Sequence, residues 1–83
     1  MTLRKELFVP AYRWTQPTGD EVHELIDYLG MTEHEVALLL GLKPSKVSRG
    51  NSTVSRWKMG KGRIPYAAWA LLAHKAGYGC IWV

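Results

Sequence analysis

The residues of this 83-residue chain that suggest a specific chemistry lie in the stretch STVSRWKMGKGRIPY, residues 52–66. On a helix with about 100° between successive residues, Ser52, Ser55 and Arg56 share one face. A guanidinium can donate two hydrogen bonds to O6 and N7 of guanine, and small hydroxyl side chains allow a helix to approach base edges closely. Ser52, Ser55 and Arg56 are therefore candidate base contacts, and plain solvent exposure is the alternative for the two serines.

The neighbours of this face have two possible roles each. Asn51 could contact adenine or cap the helix that follows it. Met59 could touch a thymine methyl group or cover the edge of the domain. Val54, Trp57 and Trp69 are interpreted as core residues, although a tryptophan could also stack on bases.

Basic side chains lie around the face formed by Ser52, Ser55 and Arg56, which we call the candidate reading face. Residues 43–83 contain eight Lys or Arg and no acid, whereas residues 1–42 contain three Lys or Arg and all seven acids. A cluster of cations on one half of a chain is typical of a surface that contacts phosphates. The predicted phosphate contacts are Lys43, Lys46, Arg49, Lys58, Lys61 and Arg63. The alternative is a solvated basic face.

Composition limits the class of protein. At 83 residues and 47% hydrophobic content, the chain is expected to be one domain, residues 1–83, with an N-terminal arm at 1–17 and an apolar tail at 78–83. A domain of this size buries only about 60–65% of its unfolded surface, so dimerisation would add stability. Without a long apolar run or a signal-peptide pattern, a cytoplasmic location is expected. The single Cys80 cannot form an intrachain disulfide.

Two helices that could support the reading face have the same start and stop signals. Each begins with a Thr followed three residues later by a Glu, which is the capping-box pattern, and each ends at a glycine. These signals place the helices between Thr18 and Gly30 and between Thr32 and Gly41. Their predicted apolar faces consist of Val22, Leu25, Ile26 and Leu29 in the first helix, and of Val36, Ala37, Leu39 and Leu40 in the second.

The start of the third helix is ambiguous, because SKVSRG at 45–50 and STVSRW at 52–57 have nearly the same pattern. Only the second copy offers two apolar residues three apart, since Gly50 ends the first copy where Trp57 ends the second. We therefore predict a recognition helix at 51–59 after an enlarged turn at 43–50. The alternative is one continuous helix over 45–59, in which Gly50 would cost about 1 kcal/mol relative to Ala.

The remaining segments complete the expected fold. A glycine-rich loop at 60–63 precedes a fourth helix, which Pro65 opens and Gly77 ends, with an apolar face formed by Trp69, Leu72 and Ala73. Residues 7–9 and 80–83 are strand-like and are expected to pack on the domain or on a second subunit. The fold class is all-α: a compact helix-turn-helix domain of about four helices with short strand-like or extended termini.

Enzymatic and metal-binding patterns are weak. The three histidines and Cys80 lack zinc-ligand spacing. The triplet at 60–62 lacks the rest of a phosphate-binding loop, and nothing aligns a catalytic triad. We expect no catalytic residue, no metal and no cofactor.

Residues 31–42, 53–57, 60–61 and 64–65 resemble the Cro/phage-repressor (XRE-like) helix-turn-helix family. Residues 64–69 extend the resemblance to small plasmid- or phage-encoded repressors of the KorC kind. The match covers residues 31–77. Two departures stand out: the turn is seven residues longer than usual, and Glu33 occupies the place of a Gln that contacts the DNA backbone in the family. That contact is not carried over.

The resemblance implies a homodimeric transcriptional repressor whose second motif helix enters the major groove of an inverted-repeat operator. Double-stranded DNA and a second copy of the chain are the expected partners, with no membrane and no small-molecule ligand. One alternative is a DNA-binding accessory protein for excision, packaging or partition. Another is a protein-interaction module such as an antitoxin, in which changes at Trp14 or Trp82 would abolish function and Arg56→Ala would not.

Overall fold

The computed structural model describes residues 3–43 and 50–83, and these residues form an all-α domain, as predicted. Four α-helices follow one another: α1 (Gly19–Leu29), α2 (Glu33–Leu40), α3 (Ser52–Lys58) and α4 (Tyr66–Ala73). Two short 3-10 turns precede α1, at Lys5–Leu7 and Ala11–Arg13, and a π-helical turn at His74–Tyr78 follows α4. The described residues contain no strand.

Both predicted capping boxes are present. The Thr18 hydroxyl accepts the Glu21 N–H at 3.2 Å, and the Glu21 carboxylate accepts the Thr18 N–H at 2.8 Å. Thr32 and Glu35 repeat this arrangement at the start of α2. Each pair satisfies two N–H groups that the first turn of a helix leaves without a partner, and this explains why the starts of α1 and α2 were predictable.

The predicted apolar face of α2 is partly wrong. Val36 and Ala37 are buried, but Leu39 is 39% exposed. Helix α2 has only eight residues and packs mainly on α3, so its buried stripe is narrower than the sequence pattern indicated.

The start of α3 excludes one of the two alternatives. The backbone of Asn51 is extended, with φ −149° and ψ 124°, and α3 begins at Ser52. A continuous helix over 45–59 is therefore wrong. Residues 44–49 lie outside the described residues, so most of the enlarged turn stays a prediction.

Helix α1 lies at the centre of the packing and contacts α3, α4 and the π-helical turn. Between these elements lies one hydrophobic core. Its largest fully buried side chains are Trp69, Leu7, Leu25, Ile26, Ile64 and Leu72. Val54 and Trp57 are also buried, which confirms their assignment to the core and fixes the rotation of α3.

The strand-like reading of the termini is wrong, although the expectation that they pack on the domain is confirmed. Leu7 is fully buried at the end of a 3-10 turn, and its carbonyl accepts the indole N–H groups of Trp14 at 3.1 Å and Trp69 at 2.7 Å. These side-chain donors take the place of strand partners. Phe8 stacks on Tyr78 with ring centroids 3.7 Å apart, so the two ends of the chain pack against each other.

The α-helical part of the fourth helix is shorter than predicted, although Gly77, its predicted end, is where the backbone leaves the helical region. Helix α4 ends at Ala73, and a π-helical turn occupies His74–Tyr78 with Gly77 at φ 101°. Its buried residues include the predicted Trp69, Leu72 and Ala73.

Candidate nucleic-acid interface

Helix α3 presents a polar face to solvent. Ser52 and Arg56 are exposed and Ser55 is half-buried, whereas Val54 and Trp57 are turned into the core. The buried pair fixes the rotation of the helix, because residues three apart lie on the same side. Three of the four predicted base contacts therefore share one accessible face.

Asn51, the fourth predicted base contact, is only 4% exposed. Its Oδ1 accepts the N–H groups of Thr53 and Val54, both at 3.1 Å, and its Nδ2 donates to the Lys43 carbonyl at 3.1 Å. The side chain is thus the N-cap of α3, which is the alternative that the sequence left open. A burial this deep, with both polar atoms already bonded, argues against a base contact.

Met59 borders the candidate reading face. It is exposed, and its sulfur lies 3.5 Å from the Ser55 hydroxyl, which donates to it. Such a weak bond leaves the hydroxyl free to turn toward another acceptor. Met59 therefore lies at the edge of the same face as Ser55 and contacts its hydroxyl.

The loop after α3 folds back onto the last turn of the helix. The Arg56 carbonyl accepts the N–H groups of Lys61 at 2.9 Å and Gly62 at 3.2 Å. Within residues 3–43 and 50–83, the Arg56 guanidinium makes one long hydrogen bond, to the Lys61 carbonyl at 3.5 Å. The exposed Lys61 therefore lies beside Arg56, and Arg63 is exposed in the same loop.

Gly19, the first residue of α1, lies in close backbone contact with the start of the loop at 60–63. A Cβ atom on Gly19 would lie 2.5 Å from the Gly60 nitrogen and 2.9 Å from the Lys58 carbonyl oxygen. Only glycine permits this approach of two backbones. Next to the contact, Lys61 and Arg63 line an open groove of about 320 Å³ together with the first turn of α1.

The remaining predicted phosphate contacts differ in their surroundings. Lys43 is exposed, and Lys46 and Arg49 lie outside the described residues. Lys58 is only 20% exposed along its side chain, and its Nζ lies 3.4 Å from Oε2 of Glu33. Lys58 therefore faces the protein more than the solvent.

Glu33 is the residue that sequence reasoning missed. It is the first residue of α2, and its Oε1 accepts the backbone N–H of Asn51 at 3.0 Å while Oε2 pairs with Lys58. The sequence singled it out only as a departure from a family pattern. No local pattern connects it to residues 18 and 25 positions away.

Other kinds of site find little support in the part of the chain that the structure describes. Residues 3–43 and 50–83 contain no group of three or more His, Cys, Asp or Glu that could hold a metal ion. Cys80 is exposed and unpaired with another cysteine. None of the described helices is long and apolar enough to cross a membrane.

Comparison with known proteins gives two close relatives over nearly the whole chain. A transcriptional repressor protein KorC from Escherichia coli is 46% identical over 80 residues, which cover 96% of this chain and 89% of that protein. A second protein of the same name and organism is 44% identical over 82 residues, covering 99% and 92%. No family model matches the chain, so the wider XRE-like resemblance has no support from a family model. No solved structure matches the chain either. On this identity and coverage, the chain belongs to the family of KorC transcriptional repressor proteins.

Proposed function

We propose that this protein is a transcriptional repressor that binds double-stranded DNA sequence-specifically, with the exposed face of α3 in the major groove. The observation that carries the proposal is the rotation of α3, in which Val54 and Trp57 are buried while Ser52, Ser55 and Arg56 face outward. The relationship to two proteins named transcriptional repressor supports the same function.

Each exposed residue has a proposed role. Arg56 donates to a guanine, because its guanidinium makes one long hydrogen bond to the described part of the chain and can reorient. Ser52 and Ser55 allow close approach and contact base edges. Proposed phosphate contacts are Lys43, Lys61 and Arg63, with Lys46 and Arg49 outside the described residues. Asn51 supports the helix as its N-cap instead of contacting a base.

The proposal predicts the outcome of selecting bound sites from a random pool of duplex DNA at physiological salt. Enrichment of an inverted repeat is expected, because a two-fold symmetric dimer contacts two half-sites about one helical turn apart or a multiple of it. A reporter placed behind the enriched site then separates repression from an accessory role, since only a repressor lowers its expression. Failure to enrich any sequence would contradict specific binding.

We further propose that two copies pair through α4 and the C-terminal tail. An apolar groove of about 290 Å³ runs along this surface, lined by Tyr66, Ala67, Ala70, Leu71 and Trp82. Trp82 is 47% exposed, and its ring lies 6.0 Å from that of His74. No lining residue is charged, so this is a part of a basic protein where two copies can approach without repulsion. Helix α3 packs on α1 and α2, so pairing through α4 leaves the reading face accessible.

Sedimentation analysis of Leu71→Glu tests this surface. In a symmetric interface over this groove, the introduced carboxylates of the two subunits would be buried close together without a cation to pair with. The variant is therefore expected to be monomeric and to keep its helical circular dichroism. Tyr12→Ser is the matched control, because Tyr12 is a large side chain that is 86% exposed away from the groove. Equal dimerisation of the wild-type protein and Leu71→Glu would rule out the α4 surface.

A further inference from the structure

A single carboxylate contacts both ends of α3. Glu33 Oε1 accepts the N–H of Asn51, the N-cap, and Oε2 lies 3.4 Å from Nζ of Lys58, the last residue of the helix. Residues 51 and 58 are seven positions apart, close to two helical turns, and so lie on the same side of α3. Both side chains of the ion pair are largely shielded from solvent, with 22% exposure for Glu33 and 20% for Lys58.

We propose that Glu33 is a positioning residue that raises the specificity of DNA binding, because it holds α3 in place. By neutralising Lys58, it also lowers the affinity for every duplex. This inference rests on the proposed function. It also revises the role of Lys58, which the sequence predicted to be a phosphate contact. With its amine paired to Glu33, Lys58 adds little to the sequence-independent attraction between the protein and DNA.

Only part of the binding free energy depends on the DNA sequence. Contacts to phosphates release counterions and strengthen binding to every duplex alike, whereas specificity comes from contacts to bases. An ionised carboxylate is only an acceptor and cannot donate to a phosphate. Glu33 therefore lowers general affinity while it orients the helix that carries Arg56.

The hydrogen bond to Asn51 gives this positioning a geometric basis. Asn51 caps α3 with its side chain while its backbone N–H is held by α2 through Glu33. The Lys58 end of α3 is tied to the same carboxylate. Since α3 has only seven residues, fixing both ends fixes the face that contacts DNA.

The first experiment measures binding to a random-sequence duplex over a range of salt concentrations. Glu33→Gln keeps an oxygen for the Asn51 N–H but releases Lys58. The slope of log K against log[salt] should become steeper by about 0.9, and binding at low salt should tighten by up to about tenfold. The ratio of affinities for the selected site and the random duplex should stay near the wild-type value in Glu33→Gln, because the added attraction acts on every duplex alike. It should fall in Glu33→Ala, which also loses the acceptor for the Asn51 N–H.

Two further variants decide whether Lys58 is the cause. Adding Lys58→Met to Glu33→Gln should remove the steeper slope. Asp20→Asn is the matched control, because it removes an acid from the first turn of α1 where no described ion pair involves it. An unchanged slope in Glu33→Gln, or an equally steep slope in the double variant, would overturn the proposal.

A second experiment tests the contact without DNA. Hydrogen exchange of the Asn51 amide should be faster in Glu33→Ala, which loses the acceptor, and near wild-type in Glu33→Gln. Unchanged protection in Glu33→Ala would overturn the positioning role. Absence of any duplex binding by the wild-type protein would instead overturn the proposed function, and the exchange result distinguishes the two failures.

Discussion

Arg56 is the residue on which sequence-specific binding is expected to depend most. Its guanidinium is exposed and makes one long hydrogen bond among the residues that the structure describes, so little is lost when it turns toward a base. We expect Arg56→Ala to cost about 1–3 kcal/mol on the selected site and to relax the preference at one base pair. Fluorescence anisotropy with single-base variants of the site measures both effects. Arg56→Lys is the control, because it keeps the charge and loses the bidentate geometry.

Lys61 is expected to behave differently although it lies only five residues away. Its side chain is exposed in the loop that folds back on α3, and an ammonium acts as a point charge toward phosphate. Lys61→Ala should weaken binding to all duplexes similarly and reduce the salt slope by about 1. Lys75→Ala, in the π-helical turn, serves as a control of equal charge. A loss confined to one DNA sequence would indicate base contact by Lys61 instead.

At the scale of elements, the N-cap of α3 connects stability to the reading face. Asn51 bonds two N–H groups of α3 and the carbonyl of Lys43. We expect Asn51→Ala to lower the free energy of unfolding by about 1–2 kcal/mol, since the cap is lost and a part-buried carbonyl loses its donor. Urea unfolding followed by tryptophan fluorescence measures this change.

Asn51→Ser separates capping from base contact. A serine hydroxyl also caps helices well, so this variant should retain more stability than Asn51→Ala. If Asn51→Ala were as stable as the wild-type protein and lost discrimination at an adenine, the base-contact alternative would be correct and the capping role wrong.

At the scale of the whole molecule, a bidentate ion pair connects the N-terminal arm to α1. Arg4 donates to both carboxylate oxygens of Glu21 at 2.7 Å, and these hydrogen bonds, with Thr18 as a further donor, lower the pKa of Glu21. A lowered pKa in the folded state means that the stability from this pair is complete above the unfolded value, about 4.5. It is lost as the pH falls through the folded value.

The expected result is an acid-dependent loss of stability that needs Arg4. Urea unfolding between pH 7 and pH 3 should show a steeper decline below about pH 4.5 for the wild-type protein than for Arg4→Met. Arg13→Met is the control, because no described ion pair involves Arg13. Parallel curves for the wild-type protein and Arg4→Met would show that the ion pair does not contribute to this dependence.

The sequence determined those features that depend on hydrogen bonds and side chains within about one helical turn. Both capping boxes, the glycine ends of α1 and α2, and the burial of Val54 and Trp57 are of this kind. The all-α fold and the exposed face of α3 followed from them.

The tertiary structure alone decided the features that connect distant positions. It placed Glu33 against Asn51 and Lys58, and it bonded the Leu7 carbonyl to Trp69, 62 residues away. Because of the first contact, Lys58 is paired with an acid and is not a freely exposed cation. Because of the second, a packed 3-10 turn stands where the sequence predicted a strand. The physical reason is that a local pattern records what one segment can form, whereas the partner of a buried polar group is set by whichever distant segment the core brings within hydrogen-bond distance.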